Sequence, residues 1–398
     1  MSHLLWFIVA LALSASLTPL VKRLTFKLKV LDFPASSPRK IHKNPTPLLG
    51  GLAVFSAFLI TLIAYIIFAK PNFNIIPFKF FLGIILGGLV LMLGGSLDDK
   101  FNLPPKYSWL FPAAASLIIV LSGIGVGIKF ISNPFGAPLF IGHTFSLLTF
   151  NFSLSALLVW LWLMGMIYTT KFLDGLDGLT SGIAFVGGLT LFALSLNERV
   201  SQPITASLAI IFAGSLLGFL IYNFHPASIF LGEAGSTFAG FMLGVLAVIL
   251  GAKIATALLV MGIPIMDVAW VIVRRIFYKA SPFLGDRRHL HYRLLDIGFS
   301  QKQAVLTLYG ISAIFGFTAV FLQSLGKLIA LVLLFCVMIF LAIATVMVYK
   351  RQHPHLKDLF EYKAEKAIDP VRSPKLKISA DDSLSHLTSN GIDDNIKS

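Results

Sequence analysis

Phe172 to Gly182 reads FLDGLDGLTSG, with two aspartates three residues apart, each followed by glycine, directly after an apolar run. Carboxylates beside such a run are costly to keep near hydrocarbon, so their presence points to a chemical use. If the stretch is helical, Asp174 and Asp177 share one face at i and i+3. If the glycines open a loop, backbone amides become available to a ligand. Asp-Gly is equally a common turn dipeptide, so a pair of turns beside Lys171 is the structural alternative.

Four other polar stretches could do chemistry. Asp98-Asp99 lies in LDDKFNLPPKY, where adjacent carboxylates can supply a base or approach a cation together. Alternatively they are a solvated helix end paired with Lys100. Residues 223–236 read NFHPASIFLGEAGS. Pro226 favours a helix break there, and Glu233 precedes the next apolar run. Its carboxylate could meet a cation, or simply favour a helix N-terminus. Residues 285–293 read GDRRHLHYR. The forks of Arg287, Arg288 and Arg293 suit diphosphate oxygens, and His289 and His291 could bind metal, donate to phosphate or shuttle protons. A loop obeying the positive-inside rule explains the arginines but not the histidines. Zinc is disfavoured, because no cysteine lies nearby and only two histidines are close. Asp267 falls inside an apolar run with Pro264 just before it. An ionisable group at that depth is a functional candidate, or pairs with a neighbouring helix.

The elements that must position these residues are membrane helices. The chain has 398 residues, 57% hydrophobic and only 13% charged, the composition of an all-α polytopic membrane protein. Its net charge of +14 does not indicate nucleic acid, because the lysines and arginines sit in short loops between apolar runs. The lone cysteine, Cys336, excludes an intrachain disulfide. A span needs roughly 20 apolar residues, and eleven such stretches are read at 4–21, 48–69, 80–97, 109–128, 153–171, 180–197, 204–222, 236–251, 255–273, 303–322 and 327–349. The first resembles a signal peptide, but its positive charges follow rather than precede it, which favours a retained helix. Glycines 123, 125 and 127 with Pro134 disturb the pattern, so Phe135 to Phe152 is read as a short re-entrant or interfacial piece. Spacings such as Gly214/Gly218 and Gly240/Gly244 suit close helix packing.

Alternating the spans puts seventeen lysines and arginines on one side and six on the other. That bias sets the N-terminus outside and the C-terminus in the cytoplasm. Ten acidic residues precede residue 350, and nine lie on or near the cytoplasmic side, Glu198 being the other. A bundle with no function there has no reason to gather them. Residues 350–398 are polar and rich in mixed charge, and read as a largely disordered cytoplasmic tail with a short interfacial helix near 355–367. The expected domains are therefore 1–349, transmembrane, and 350–398, tail.

RKIHKNPTPLLGG at 39–51, DDKFNL at 98–103, DGLDGLTSG at 174–182, NFHPASIFLGEAGS at 223–236 and GDRRHLHYRLLDIGFSQKQAV at 285–305 together resemble the polyprenyl-phosphate N-acetylhexosamine-1-phosphate transferases, glycosyltransferase family 4. They come in the family's order. HLHYRL looks like the branch that uses UDP-N-acetylglucosamine on undecaprenyl phosphate. The alternative branch, the phospho-MurNAc-pentapeptide transferases of peptidoglycan synthesis, usually carries consecutive histidines there.

The resemblance implies a transferase of the bacterial plasma (inner) membrane with its site on the cytoplasmic face. A polyprenyl phosphate attacks the sugar-side phosphorus of a UDP-N-acetylhexosamine, UMP leaves, and the first lipid-linked intermediate of a cell-envelope polysaccharide forms. Magnesium, or manganese in its place, is the implied cofactor, and the resemblance is compatible with a homodimer. By the same resemblance Asp98, Asp99, His289 and His291 are the catalytic set. Asp174, Asp177, Lys171, Asn223, Arg288, Arg293, Lys106 and Asp267 meet the substrates, and Glu233 with Asp174 holds the metal. The chain departs from the family pattern where two asparagines usually stand, at Tyr168 and Lys171. It departs again at Glu233, usually aspartate, and at Ser108, usually lysine, with Lys106 the nearest substitute. Two other classes compete. A transporter would favour mid-membrane charges and paired broken helices, and a scaffold would bind UDP-sugar without turnover.

Overall fold

The computed structural model describes residues 2–34, 44–131, 133, 136–137, 139–140, 142–147, 150–251, 254–277 and 289–352. Without water to bond their backbones, apolar runs in a bilayer must close their hydrogen bonds internally, and helices do so. Fourteen helices are present among these residues: α1 (His3–Leu28), α2 (Gly50–Ala69), α3 (Phe78–Phe101), α4 (Pro105–Ser108), α5 (Leu110–Ser122), α6 (Leu154–Leu173), α7 (Leu179–Leu196), α8 (Pro203–Asn223), α9 (Gly232–Ile249), α10 (Ile254–Val260), α11 (Gly262–Phe277), α12 (Leu290–Asp296), α13 (Gln301–Phe321) and α14 (Ser324–Gln352). Three antiparallel two-stranded ribbons join them: β1 (Leu31–Asp32) with β2 (Thr46–Pro47), β3 (Phe130–Ile131) with β4 (Leu139–Phe140), and β5 (Thr144–Leu147) with β6 (Phe150–Ser153).

Nine of the described helices are long and apolar enough to cross a membrane, or ten when α10 and α11 count as one broken span. The chain is thus an all-α polytopic membrane protein with small β ribbons in its connections. Two of the eleven expected stretches differ. The stretch 109–128 holds only α5, 13 residues long, about 20 Å at 1.5 Å per residue against a hydrocarbon core of about 30 Å. Gly123 ends it at φ +94°, a left-handed conformation that glycine adopts at little steric cost. The stretch 255–273 bends by 82° between α10 and α11. Pro264 has no N–H to give the carbonyl of Val260, which opens the helical ladder at the bend. The piece expected over 135–152 as re-entrant or interfacial contains strands β4 to β6 among its described residues.

By its contacts the chain divides into Met1–Thr345 and Val346–Ser398. The expected tail from residue 353 onward, with its interfacial helix, lies outside the described residues. Within the first unit α8 and α9 are the most buried spans and α1 is a peripheral one. Helix α8 packs on α1 and α7, and α9 on α6 and α3. Small residues allow these approaches. A Cβ on Gly218 would strike the Leu11 carbonyl of α1, and one on Gly240 the Met166 carbonyl of α6.

Candidate active site

One end of the bundle gathers the polar stretches. The C-terminal ends of α1, α3, α6 and α8 and the N-terminal ends of α2, α7, α9 and α13 meet around a cavity of about 590 Å3. Five carboxylates line it among the described residues, from Asp32, Asp99, Asp174, Asp177 and Glu233, with Lys171 as its one lysine.

Asp99, in the last turn of α3, anchors the start of α9. The Glu233 backbone N–H donates to both its oxygens, at 2.9 and 3.1 Å. Glu233 thereby stands in the first turn of α9, which begins at Gly232, four residues earlier than the sequence pattern placed the span. The preceding β2 segment closes the same corner. Phe230 N–H donates to the Pro47 carbonyl at 2.8 Å, and Gly51 N–H to the Leu231 carbonyl at 2.8 Å. Asp98 is not among the residues that line the cavity, but it borders Lys171, which does. Asp98 Oδ1 accepts from Leu103 N–H at 2.8 Å, and its Oδ2 lies 3.6 Å from Lys171 Nζ. The Lys171 ammonium makes its closest contact with Glu233 Oε1.

The DGLDG stretch forms a turn and also lines the cavity, so the two readings of the sequence are compatible. Helix α6 ends at Leu173 and α7 begins at Leu179. Tyr292 OH donates to the Gly175 carbonyl at 3.3 Å, and Tyr309 OH donates to the Gly178 carbonyl. Asp177 Oδ2 accepts from Ala227 N–H at 3.0 Å and lies 2.7 Å from His225 Nδ1. Asp174 is exposed to the cavity, where the protein packed around the turn still displaces bulk water. Lost solvation, partly opposed by the Thr180 hydroxyl and reinforced by the charges of Glu233 and Asp177, raises its carboxyl to about 7. Asn223 lines the cavity with both side-chain ends committed. It accepts from Ser181 Oγ at 2.6 Å and donates to the Ile229 carbonyl at 3.0 Å, so it positions the α8–α9 turn.

The His-Arg stretch is arranged differently from the expectation. Tyr292 is the residue of α12 that lines the cavity; His289, His291 and Arg293 do not. His289 Nδ1 lies 2.8 Å from Asp267 Oδ2, and Leu290 N–H donates to Asp267 Oδ1 at 2.9 Å. Asp267 is therefore a buried brace between α11 and α12 and does not line the cavity. The His291 ring stacks parallel to that of His289 at 5.6 Å, and its Nε2 is buried without a hydrogen-bond partner, directed at Gly175. Burial, opposed by Asp267 and aided by His289, lowers His291 to about 4, so the imidazole is neutral at neutral pH. Lys106 is exposed on α4, over the Tyr107 ring at 4.8 Å, away from the cavity lining. Arg288 lies outside the described residues. Sequence reasoning missed His225, Tyr292 and Tyr309. The first two sat inside stretches already singled out, as FHP and HYR; nothing near Tyr309 signalled a role.

Magnesium was expected at Glu233 and Asp174. Among the described residues no group of three histidine, cysteine, aspartate or glutamate side chains converges as metal ligands do. Glu233 turns to the Lys171 ammonium, which also approaches Asp98. A divalent ion beside Glu233 would have to share that space with a like charge, so the residues as placed do not fit one there.

The model of the family described as Glycosyl transferase family 4 matches residues 81–251. A Bacillus subtilis (strain 168) protein named "Probable undecaprenyl-phosphate N-acetylglucosaminyl 1-phosphate transferase" is 32% identical over 344 residues, covering 85% of this chain and 89% of the relative. The chain belongs to glycosyl transferase family 4. Among other relatives, the Thermotoga maritima undecaprenyl-phosphate alpha-N-acetylglucosaminyl 1-phosphate transferase is 28% identical over 87% of this chain and 98% of its own length. The Mycolicibacterium smegmatis decaprenyl-phosphate N-acetylglucosaminephosphotransferase is 30% identical, with coverages of 73% and 74%. The matched span of this family member, 81–251, carries Asp98, Asp99, Lys171, Asp174, Asp177, Asn223 and Glu233, all but Asp98 lining the cavity.

Proposed function

We propose that this family member transfers N-acetylglucosamine 1-phosphate from UDP-N-acetylglucosamine to a polyprenyl phosphate in a bacterial plasma membrane. The observation that carries the reading is the acid-lined cavity, with a single lysine among the described residues, at the ends of membrane-length helices. One substrate is soluble and the other lives in lipid, so the reaction needs a polar site at that boundary. Relatives named for undecaprenyl or decaprenyl phosphate and for N-acetylglucosamine supply the substrate classes. The lysine and arginine bias favours the cytoplasmic face for the cavity. The resemblance also allows a homodimer, to be read from the mass of the solubilised protein.

In the step proposed, an oxygen of the lipid phosphate bonds to the sugar-side phosphorus. The bond from that phosphorus to the bridging oxygen breaks, and UMP leaves with the electron pair. The protein's task is to position the groups and to balance charge. Among the described residues Lys171 is the lysine of the cavity lining that can meet the diphosphate. Asp99 fixes the start of α9 and hence Glu233. The Asp174–Asp177 turn forms the wall against which the nucleotide rests. Purified protein in nanodiscs, given polyprenyl phosphate and a panel of UDP-sugars, should release UMP fastest with UDP-N-acetylglucosamine and form a lipid diphosphate sugar of matching mass. UMP release that ignores the lipid, or none with any sugar, would sink the proposal.

A further inference from the structure

The cavity presents an electrostatic problem. Five acidic residues line it, yet the proposed substrates are a diphosphate and a phosphate. Without a cation among the carboxylates, the phosphates would be repelled. Glu233, a carboxylate expected to meet a cation, meets one supplied from within the chain, which Asp98 also approaches. The Lys171 ammonium contacts Glu233 Oε1 and lies 3.6 Å from Asp98 Oδ2. Lys171 sits in the last turn of α6, with its ammonium 5.9 Å from the centre of the Tyr168 ring one turn earlier. Glu233 is held in turn, since its backbone N–H is fixed by Asp99.

We propose that Lys171 is the resident cation of this site: its ammonium occupies the position between Glu233 and Asp98 that a divalent ion would need, and turnover requires no metal there. The inference rests on the transferase reading above and deepens it. An ammonium is a compact point charge with three donors. Two of its N–H groups can stay on the carboxylates while the third points to a diphosphate oxygen. It neutralises one negative charge where a divalent ion neutralises two, so it suits a site that must bind diphosphate and then release UMP without a tightly held ion.

The test uses the full-length protein in nanodiscs with UDP-N-acetylglucosamine and polyprenyl phosphate, stripped with chelator and compared with added magnesium. Wild type should keep its UMP release in chelator within about threefold of the magnesium rate. Lys171→Gln, which replaces the charge by an amide able to ligate, should lose about 100-fold or more in chelator and recover in part with magnesium. Lys171→Arg should stay insensitive to chelator and shows that the site folds with a cation in place. A second readout does not depend on turnover. Manganese binding followed by electron paramagnetic resonance should be about tenfold tighter in Lys171→Gln than in wild type, and the gain should vanish in the Lys171→Gln/Glu233→Gln double variant. Wild type silenced by chelator and restored by magnesium overturns the inference, as does a Lys171→Gln variant as active in chelator as wild type. Absence of UMP from every protein under every condition sinks the transferase reading instead, and the manganese titration then still decides the role of Lys171.

Discussion

Both carboxylate oxygens of Asp99 accept from the single backbone N–H of Glu233, at 2.9 and 3.1 Å, across 134 residues of chain. The bond ties the end of α3 to the start of α9 and fixes the cavity's acidic corner. Asn at position 99 keeps one acceptor but loses the charge that a backbone donor and a helix N-terminus favour. Asp99→Asn should therefore lower UMP release by about 100-fold, whereas Asp98→Asn, at a residue outside the cavity lining, should cost about tenfold or less. Steady-state UMP release for both variants in nanodiscs checks the ranking. Equal losses would show that Asp98 reaches the substrates directly.

Gly232 shares that corner and is constrained twice. It adopts φ +74°, and a Cβ built on it would lie 2.6 Å from Asp99 Oδ2. A left-handed non-glycine residue costs about 1–2 kcal/mol, and the added methyl must also displace the Asp99 carboxylate. Gly232→Ala should lower UMP release by about tenfold or more, with only a modest drop in the melting temperature in detergent. A variant that melts far earlier while keeping its turnover per folded molecule would contradict this.

Asp174 and His291 should give opposite pH signatures. Asp174 is raised to about 7 in the folded protein from an unfolded value near 3.9. The folded state binds more protons between those values, so this residue's contribution to stability falls as pH rises from about 4 through 7. His291 is lowered to about 4 from an unfolded value near 6.5. Its contribution is present above pH 6.5 and is lost as pH falls from there toward 4. Melting temperatures in detergent from pH 4.5 to 8 test both. The difference Asp174→Asn minus wild type should grow with rising pH, by about 1–2 °C. The difference His291→Phe minus wild type should grow as pH falls. Differences that do not move with pH would place both groups in ordinary solvent.

The helices were legible because hydrocarbon leaves the backbone no alternative, and the parity of the spans brought Asp99, Asp174, Asp177 and Glu233 to one end before any coordinates. What composition could not carry was which side chain faces which. Asp267 read as a functional candidate or as the partner of a neighbouring helix, and spacing could not name that partner, because His289 and Leu290 lie 22 and 23 residues on. In HLHYR the histidines drew attention by their chemistry, yet Tyr292 is the one in the cavity wall. The α10–α11 bend had its signal in Pro264, but hydropathy averaged across it. Lys171 was visible as an oddity beside the DGLDG turn. Its pairing with Glu233, 62 positions later, comes from α6 packing on α9, which sequence spacing does not encode.

The Asp267 brace gives a last prediction. One carboxylate serves two donors from the start of α12, His289 Nδ1 at 2.8 Å and Leu290 N–H at 2.9 Å, and both are buried. Removing it leaves two buried donors without an acceptor, at about 1–3 kcal/mol each. Asp267→Asn can still accept from Leu290 but presents one N–H toward His289, so it should fall between wild type and Asp267→Ala in stability. Because His289 stacks on His291 and Tyr292 holds the Gly175 carbonyl, loosening α12 should also release the Asp174–Asp177 turn. Hydrogen exchange should therefore rise over residues 289–296 and over 173–179 together in Asp267→Ala, with UMP release down by about tenfold or more. A double-mutant cycle of Asp267→Ala with His289→Ala should give a coupling of about 1–3 kcal/mol. Exchange that rises over 289–296 alone would separate α12 from the turn and leave Asp267 a purely local support.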